Sequence, residues 1–386
     1  MEFAYPYLLL VLAYGCLALY AHYNRKSRET TIYINILSAM LFVFFFGLRG
    51  FVAYDWTEYY KEFQSVTDLQ TLLTLPYNKW IWEPGFMIFG VICKSIYPNY
   101  FFFQFLCILI NTALLMNFFR RYIDNVPLAF MIMLAMSGIE ININLLRNSI
   151  SILLFVNSIR FIEERRFLPY LLMCALGFTF HSSSLAYIPM YFILTRNINK
   201  FVMLSIFIAA NIIYLFHIPI LKSIILLFVD ILMPSTKLWI EAYLNMDNST
   251  GSFLSIGYLE RLFTGVMLFL YMDKLKELRN GSNIFVNSMF FYLCIVLFLS
   301  EFRTISQRCS FLFVYAYWII WIDLIKCFTL RNNKILYSAF IGLYCLLKVY
   351  SGDNTAMADY YNIMFEDHSY NERLLHLRQH FNDEKK

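Results

Sequence analysis

The sequence predicts an all-α protein that crosses a membrane many times, because its apolar residues are too many and too continuous for a water-soluble core. Hydrophobic residues make up 60% of the 386, aromatic residues 19% and charged residues only 15%. A soluble domain of that composition would expose large apolar patches. Crossing about 30 Å of hydrocarbon takes roughly 17–25 apolar residues in a helix, with shorter spans admissible inside a bundle. Twelve segments qualify, near 3–22, 31–49, 100–119, 127–139, 144–162, 167–181, 184–195, 201–216, 257–272, 284–300, 308–326 and 335–350.

Each element has its own justification. The run from Phe3 to His22 follows Glu2 with no basic n-region and no small-x-small cleavage signal, so it reads as a retained helix and not as a leader. Pro84–Tyr97 and Pro219–Leu232 are about 14 residues long and suit re-entrant or interfacial helices better than crossings. Arg25/Lys26/Arg28, Arg120/Arg121, Arg165/Arg166, Arg196/Lys200, Lys274/Lys276/Arg279 and Arg331/Lys334 fall in alternate connections, which the positive-inside bias makes cytoplasmic. The termini, the long connections 50–83 and 217–256 and the polar tail 351–386 are then expected outside. Residues 1–350 are expected as a single transmembrane domain.

Several function classes are excluded. The net charge of +5 is divided among short loops and makes no nucleic-acid patch. The cysteines at 16, 93, 107, 174, 294, 309, 327 and 345 lack CxxC spacing and lie mostly in apolar runs, so they read as small hydrophobes. No repeat marks an inverted-repeat carrier. GxxxxGK[ST], HExxH, GxSxG and DxD are all missing, which gives no site for a nucleotide or a metal.

What remains is a set of charges placed where they are costly. Arg49, Asp55, Glu83, Arg147, His181, Arg261 and Arg308 end separate apolar segments, and the predicted topology puts all of them on the outer face. A charge near hydrocarbon costs about 2.5–3.5 kcal/mol at a helix centre, so such residues usually have a function. Asp55, Tyr59 and Phe63 are spaced by four and share one face of a short helix; an interfacial aromatic belt with a snorkelling Arg49 explains the same residues. Glu83 precedes Pro84 and serves either as a site carboxylate or as an N-terminal capping acid. Arg147 opens a predicted helix, the unfavourable end for a cation, where a cationic fork and a helix N-terminus together cradle phosphate; pairing with Glu140 or Asp55 is the structural alternative. His181 stands among serines in Thr179-Phe-His-Ser-Ser-Ser184, either as a hydrogen-bonding residue or as a catalyst. Glu260-Arg261 and Glu301-Phe-Arg303 through Arg308 complete the outer charges, some of which pair with one another.

The order GLRGFVAYDWTEYYKEF, WEPGF, LLRNSIS, ERRFLPY and FHSSSLAYIPMYFI, followed by a late Arg-rich outer loop, resembles the EpsG-like polysaccharide polymerases, relatives in function of the Wzy-type O-antigen and capsule polymerases. The likeness covers roughly residues 30–330. This chain has Ala53-Tyr54 where Gly commonly precedes the Asp, and Asn148 where Gln commonly follows the Arg. The resemblance implies a fold like the GT-C membrane glycosyltransferases and a metal-independent, cofactor-free glycosyl transfer, inverting or retaining, outside the bacterial cytoplasmic membrane. The donor it implies is a growing glycan on undecaprenyl diphosphate, and the acceptor is a new lipid-linked repeat unit. Arg147 would take the diphosphate, with Arg308 or Arg261 as second clamp and Arg49 and Arg303 nearby. His181 would be the base, with Asp55 and Glu83 behind it. Trp56, Tyr59 and Trp82 would offer flat faces to sugar rings. Membrane lipid, a chain-length regulator and a flippase of the same pathway are implied partners, and nucleic acid is not. Two other functions suit the same charges: a flippase for lipid-linked oligosaccharide, and a membrane acyltransferase acting on surface glycans.

Overall fold

The computed structural model describes residues 3–24, 27–65, 68–74, 80–219, 222, 223, 225 and 254–383. The described residues are mostly helical and contain no strand, only one isolated bridge, Arg49 to Asn362, and the chain packs as two compact units. One comprises Met1–Tyr191 with Ile335–Lys386, the other Phe192–Lys334.

The first unit is built from α1 (Tyr5–Tyr23), α2 (Arg28–Phe42), α3 (Trp56–Ser65), α4 (Leu69–Thr74), α5 (Pro84–Ile96), α6 (Tyr100–Tyr122), α7 (Val126–Met133), α8 (Ile139–Ile143), α9 (Leu146–Glu163) and α10 (Phe167–Phe180), and the boundary between the units falls within α11 (Met190–Ile193). Capping residues explain several boundaries: Ser27, Asn99 and Asn125 each accept a backbone N–H of the helix they open, and Pro sits in the first turn of α1, α5 and α7, where its missing donor costs nothing. α9 lies at the centre, buried along most of its length, and runs parallel to α6. Polar side chains lock the pair: Asn111 donates to Ser149 Oγ at 2.8 Å, Asn117 to Asn157 Oδ1 at 2.6 Å, Tyr122 to Glu163 at 2.7 Å and Arg121 to Glu164 at 3.3 Å. In hydrocarbon such pairs replace water as the partner of polar groups.

Two π turns interrupt the long apolar helices. Val43–Gly47 ends α2 just before Arg49. Leu134–Gly138 joins α7 to α8 with Ser137 at φ 64°, and a Cβ on Gly138 would stand 2.8 Å from the Met133 carbonyl carbon, so the kink requires glycine.

The second unit contains α12 (Lys200–Leu215), α13 (Ile256–Leu270), α14 (Met272–Glu277), α15 (Ile284–Phe298), α16 (Arg303–Phe311) and α17 (Tyr315–Cys327). Asn287 donates to the carbonyls of Leu194 and Arg196, both at 2.8 Å. Arg279 forms a fork on the buried Asp323 at 2.8 and 2.9 Å, and buried Glu260 accepts from Thr264 at 2.6 Å.

α18 (Arg331–Asp353) returns the chain to the first unit, and the segment expected as a polar tail is packed there. Ile363 N–H donates to Leu48 O, Gly50 N–H to Tyr361 O and Ala53 N–H to Met357 O, each at 2.9 Å. α19 (Tyr370–Asp383) follows.

Five described helices are long and apolar enough to cross a membrane: Tyr5–Tyr23, Arg28–Gly47, Tyr100–Tyr122, Val126–Ile143 and Arg331–Asp353, with a sixth if α16 and α17, bent by 65°, count as one. Twelve spans were expected, and the difference has identifiable causes. α10 is 14 residues long and stops at His181. The expected span 184–195 is no continuous helix but a 3-10 stretch, Ser182–Tyr187, and the four residues of α11. Pro84–Ile96, not among the twelve, is a 13-residue helix, the short length expected of a re-entrant or interfacial helix and too short for a crossing at 1.5 Å per residue. The expected half-helix 219–232 and most of the connection 217–256 lie outside the described residues.

Candidate active site

Three helix ends meet in the first unit, each carrying one ionisable side chain. Glu83 is the N-cap of α5, Arg147 lies in the first turn of α9, and His181 is the C-cap of α10. The close approach of α5 and α10 depends on Gly85, where a Cβ would stand 2.8 Å from the Thr179 carbonyl oxygen. Glu83-Pro84-Gly85 thereby sets a carboxylate, a helix start and a backbone contact in three consecutive residues.

Glu83 is held through both oxygens. Oε2 pairs with Arg147 Nη1 at 2.5 Å and Oε1 accepts the Ser182 N–H at 2.9 Å. Burial raises the Glu83 pKa, but Ser182 N–H, Arg147 and His181 outweigh it and leave the carboxyl below the usual range, so it is ionised at neutral pH. Arg147 also lies over the Trp82 ring, 5.2 Å from its centroid, a cation–π arrangement. Trp82 is 5.1 Å from Tyr59 and 5.6 Å from Phe86, centroid to centroid. Burial pushes the Tyr59 phenol up to about 12 against the opposing charge of Arg147. Arg147 Nε is buried with no hydrogen-bond partner, as is Ser151 Oγ one turn along α9. An unmet guanidinium donor at a helix N-terminus suits an incoming anionic oxygen.

His181 is oriented through a serine. Its Nδ1 lies 2.8 Å from Ser183 Oγ, and Ser183 Oγ donates to Asn148 Oδ1 at 2.8 Å. With the single hydroxyl proton on Asn148, Ser183 Oγ accepts from Nδ1–H, so Nε2 is the nitrogen that accepts a proton. The competing contact from Ser183 N–H to Nδ1 is longer, at 3.2 Å.

The other expected residues fall elsewhere. Asp55 precedes α3; its backbone N–H and that of Tyr54 point to Asn144 Oδ1 at 3.4 and 3.2 Å, and its charge acts on Tyr59. Arg49 is 2% exposed and donates to the carbonyls of Phe46 at 2.5 Å and Ile143 at 3.1 Å. Trp56 packs against Phe51 at 4.6 Å and Tyr370 at 5.4 Å. Arg261, Arg303 and Arg308 belong to the second unit. Arg261 is engaged with Tyr292, whereas Arg303 and Arg308 are exposed at the two ends of α16. Among the described residues no cluster of His, Cys, Asp and Glu is arranged to hold a metal.

Sequence reasoning overlooked Ser182, Ser183 and Asn148 as site residues. Their signal was present in the serine run after His181 and in the Arg147-Asn148 pair, but only packing shows that these segments touch.

A family model described as the EpsG family matches residues 31–363, and the chain belongs to that family. No curated protein and no solved structure matches it.

Proposed function

We propose that this chain is a polymerase that joins oligosaccharide repeat units carried on undecaprenyl diphosphate into a surface polysaccharide, at the outer face of a bacterial cytoplasmic membrane. The observation that carries the reading is the meeting of Glu83, Arg147 and His181 at three helix ends beside Trp82 and Tyr59, in a chain of the EpsG family.

In the transfer step the acceptor hydroxyl oxygen bonds to the anomeric carbon of the donor glycan. The bond from that carbon to the diphosphate oxygen breaks, and its electron pair leaves with the diphosphate. Arg147 takes the developing negative charge through Nε and its remaining donors, supported by the first turn of α9. The acceptor proton passes to His181 Nε2, whose opposite nitrogen is held by Ser183. Glu83 keeps Arg147 in place and stays ionised beside the imidazolium that results. Trp82 and Tyr59 supply ring faces for sugars. Asp55 stands behind Tyr59 as a second carboxylate, and no cofactor or metal is invoked. A flippase and a chain-length regulator would act in the same pathway.

The test is His181→Ala in cells that make the polymer. Loss of joining leaves single repeat units at the outer face at normal protein level, whereas a flippase defect holds them on the cytoplasmic face. Long polymer of normal abundance would remove the catalytic role from His181.

A further inference from the structure

A second feature of the first unit lies away from these residues, between α2 and α6. The two helices run antiparallel and bound an open groove of about 740 Å³, within the range of about 300–1,000 Å³ that holds whole small-molecule ligands. Ala39, Met40, Val43 and Phe44 of one wall face Leu109 and Ala113 of the other. Only three polar side chains line it, namely Asn35, Thr112 and Arg120. Thr112 spends its hydroxyl on its own helix, donating to Ile108 O at 2.7 Å. Asn35 and Arg120 make no hydrogen bond or ion pair among the described residues. Arg120 differs in this from its neighbour Arg121, which pairs with Glu164.

Both uncommitted groups lie toward one end. Asn35 is seven residues into α2 from Arg28, about 10 Å along the helix, and Arg120 stands in the last turn of α6. That end is opposite to the candidate active site. α6 and α9 are parallel, and Arg147 opens α9 sixteen residues before Glu163, the partner of Tyr122, a rise of about 24 Å. The basic connections assign the Arg120 end to the cytoplasmic leaflet, where anionic lipids concentrate. A cation at the headgroup level, an amide two or three residues farther along the facing wall and an apolar floor beyond it match the phosphate, ester and acyl chain of one lipid in order. The glycan carrier has its diphosphate at the other end.

We propose that this groove binds an anionic phospholipid, with its phosphate on Arg120, its ester oxygens on the Asn35 amide and an acyl chain along Met40, Phe44 and Leu109. The assignment stands independently of the polymerase reading. Native mass spectrometry of the purified protein, offered phosphatidylglycerol or phosphatidylcholine, tests it. The wild type should retain phosphatidylglycerol preferentially. Arg120→Ala should lower that retention about fivefold, the scale of one cation acting on an anionic lipid, while Arg121→Ala keeps it. Ala113→Trp, which fills the floor and leaves Arg120 in place, should also expel the lipid. Equal retention by wild type and Arg120→Ala, or retention unaffected by Ala113→Trp, overturns the proposal. Displacement of phosphatidylglycerol by undecaprenyl phosphate, dependent on Arg120, also overturns it and makes the groove a carrier-tail site.

Discussion

Glu83 and Arg147, 64 residues apart in sequence, meet at 2.5 Å, and the same carboxylate accepts the Ser182 N–H. One side chain therefore ties the starts of α5 and α9 to the turn after α10. The capping role and the site role read for Glu83 from the sequence are compatible, because it stands at the N-cap position while its oxygens serve two other segments.

The first prediction concerns that tie. Glu83→Gln keeps the shape and removes the charge, and the lost charge-assisted bonds should cost about 1.5–3 kcal/mol of stability at neutral pH. The sign follows from the depressed pKa. A carboxyl with a lower pKa folded than unfolded adds stability above its unfolded value, about 4.3, and loses it as pH falls through the folded value. Thermal unfolding of the detergent-solubilised protein from pH 7 down to pH 3 should therefore separate the two proteins at pH 7 and narrow the gap as the pH falls below about 4.3. A constant difference across that window would contradict the ion pair.

Arg147→Lys should fail although it keeps the charge, since a compact ammonium cannot hold Glu83, lie flat over Trp82 and offer Nε at once. Losing one transition-state contact costs about 2.7–4 kcal/mol, or roughly a hundred- to thousandfold in rate. Polymer yield per molecule of inserted protein measures it, and a wild-type yield would reduce Arg147 to a structural cation.

Which parts of this were legible in the sequence is a matter of range. The α5 start at Pro84, the end of α10 at His181 and the position of Arg147 in the first turn of α9 are local signals of capping and hydrophobicity, and the structure has them. That Trp82 rather than Trp56 lies beside Arg147 could not be read, because both are aromatics in the same connection, 50–83, and only tertiary packing separates them. The burial of Arg49 was equally hidden: its partners are backbone carbonyls, one of them 94 residues away. The expected span 184–195 failed because apolar content alone cannot tell a crossing helix from a short helix and a 3-10 turn packed on the core.

Ser183 should act through His181. Ser183→Ala removes the group between Nδ1 and Asn148, so it should lower the polymerisation rate and shift the acid limb of activity to lower pH, because the imidazolium loses an acceptor and the neutral ring gains a second tautomer. A base must be neutral to accept a proton, so activity should be lost on the acid side in both proteins. Ser183→Thr, which retains the hydroxyl, should restore the wild-type profile. Superimposable pH profiles for wild type and Ser183→Ala would make the serine merely structural.

The proposed orientation gives an accessibility test. Tyr54 is 49% exposed in the connection expected outside, and Asn280 lies in a turn at φ 52° within a connection expected inside. Cysteines placed at these positions should react with an impermeant reagent added to intact spheroplasts at 54 and not at 280. The reverse pattern would turn the candidate site toward the cytoplasm and end the outer-face reading.

The last prediction concerns the C-terminal segment, of which α19 lies beyond the family match that ends at 363. Arg373, 7% exposed, donates to Asp359 Oδ2 and to Asp359 O, both at 2.8 Å, and to Phe51 O at 3.2 Å. Tyr370 stacks on Tyr60 at 4.6 Å. These contacts fasten the segment to residues 51–60, which lead into the helix bearing Tyr59. Gly50 makes the approach possible, since a Cβ there would enter the Tyr361 ring. Arg373→Ala leaves Phe51 O and Asp359 without their shared donor and should cost about 1.5–3 kcal/mol. Because the loss falls on the segment carrying Tyr59, polymerisation should drop while insertion continues, and limited proteolysis should cut first between 354 and 369. Proteolysis at the wild-type rate with full polymer yield would show that the segment is held by other means and has no part in placing Tyr59.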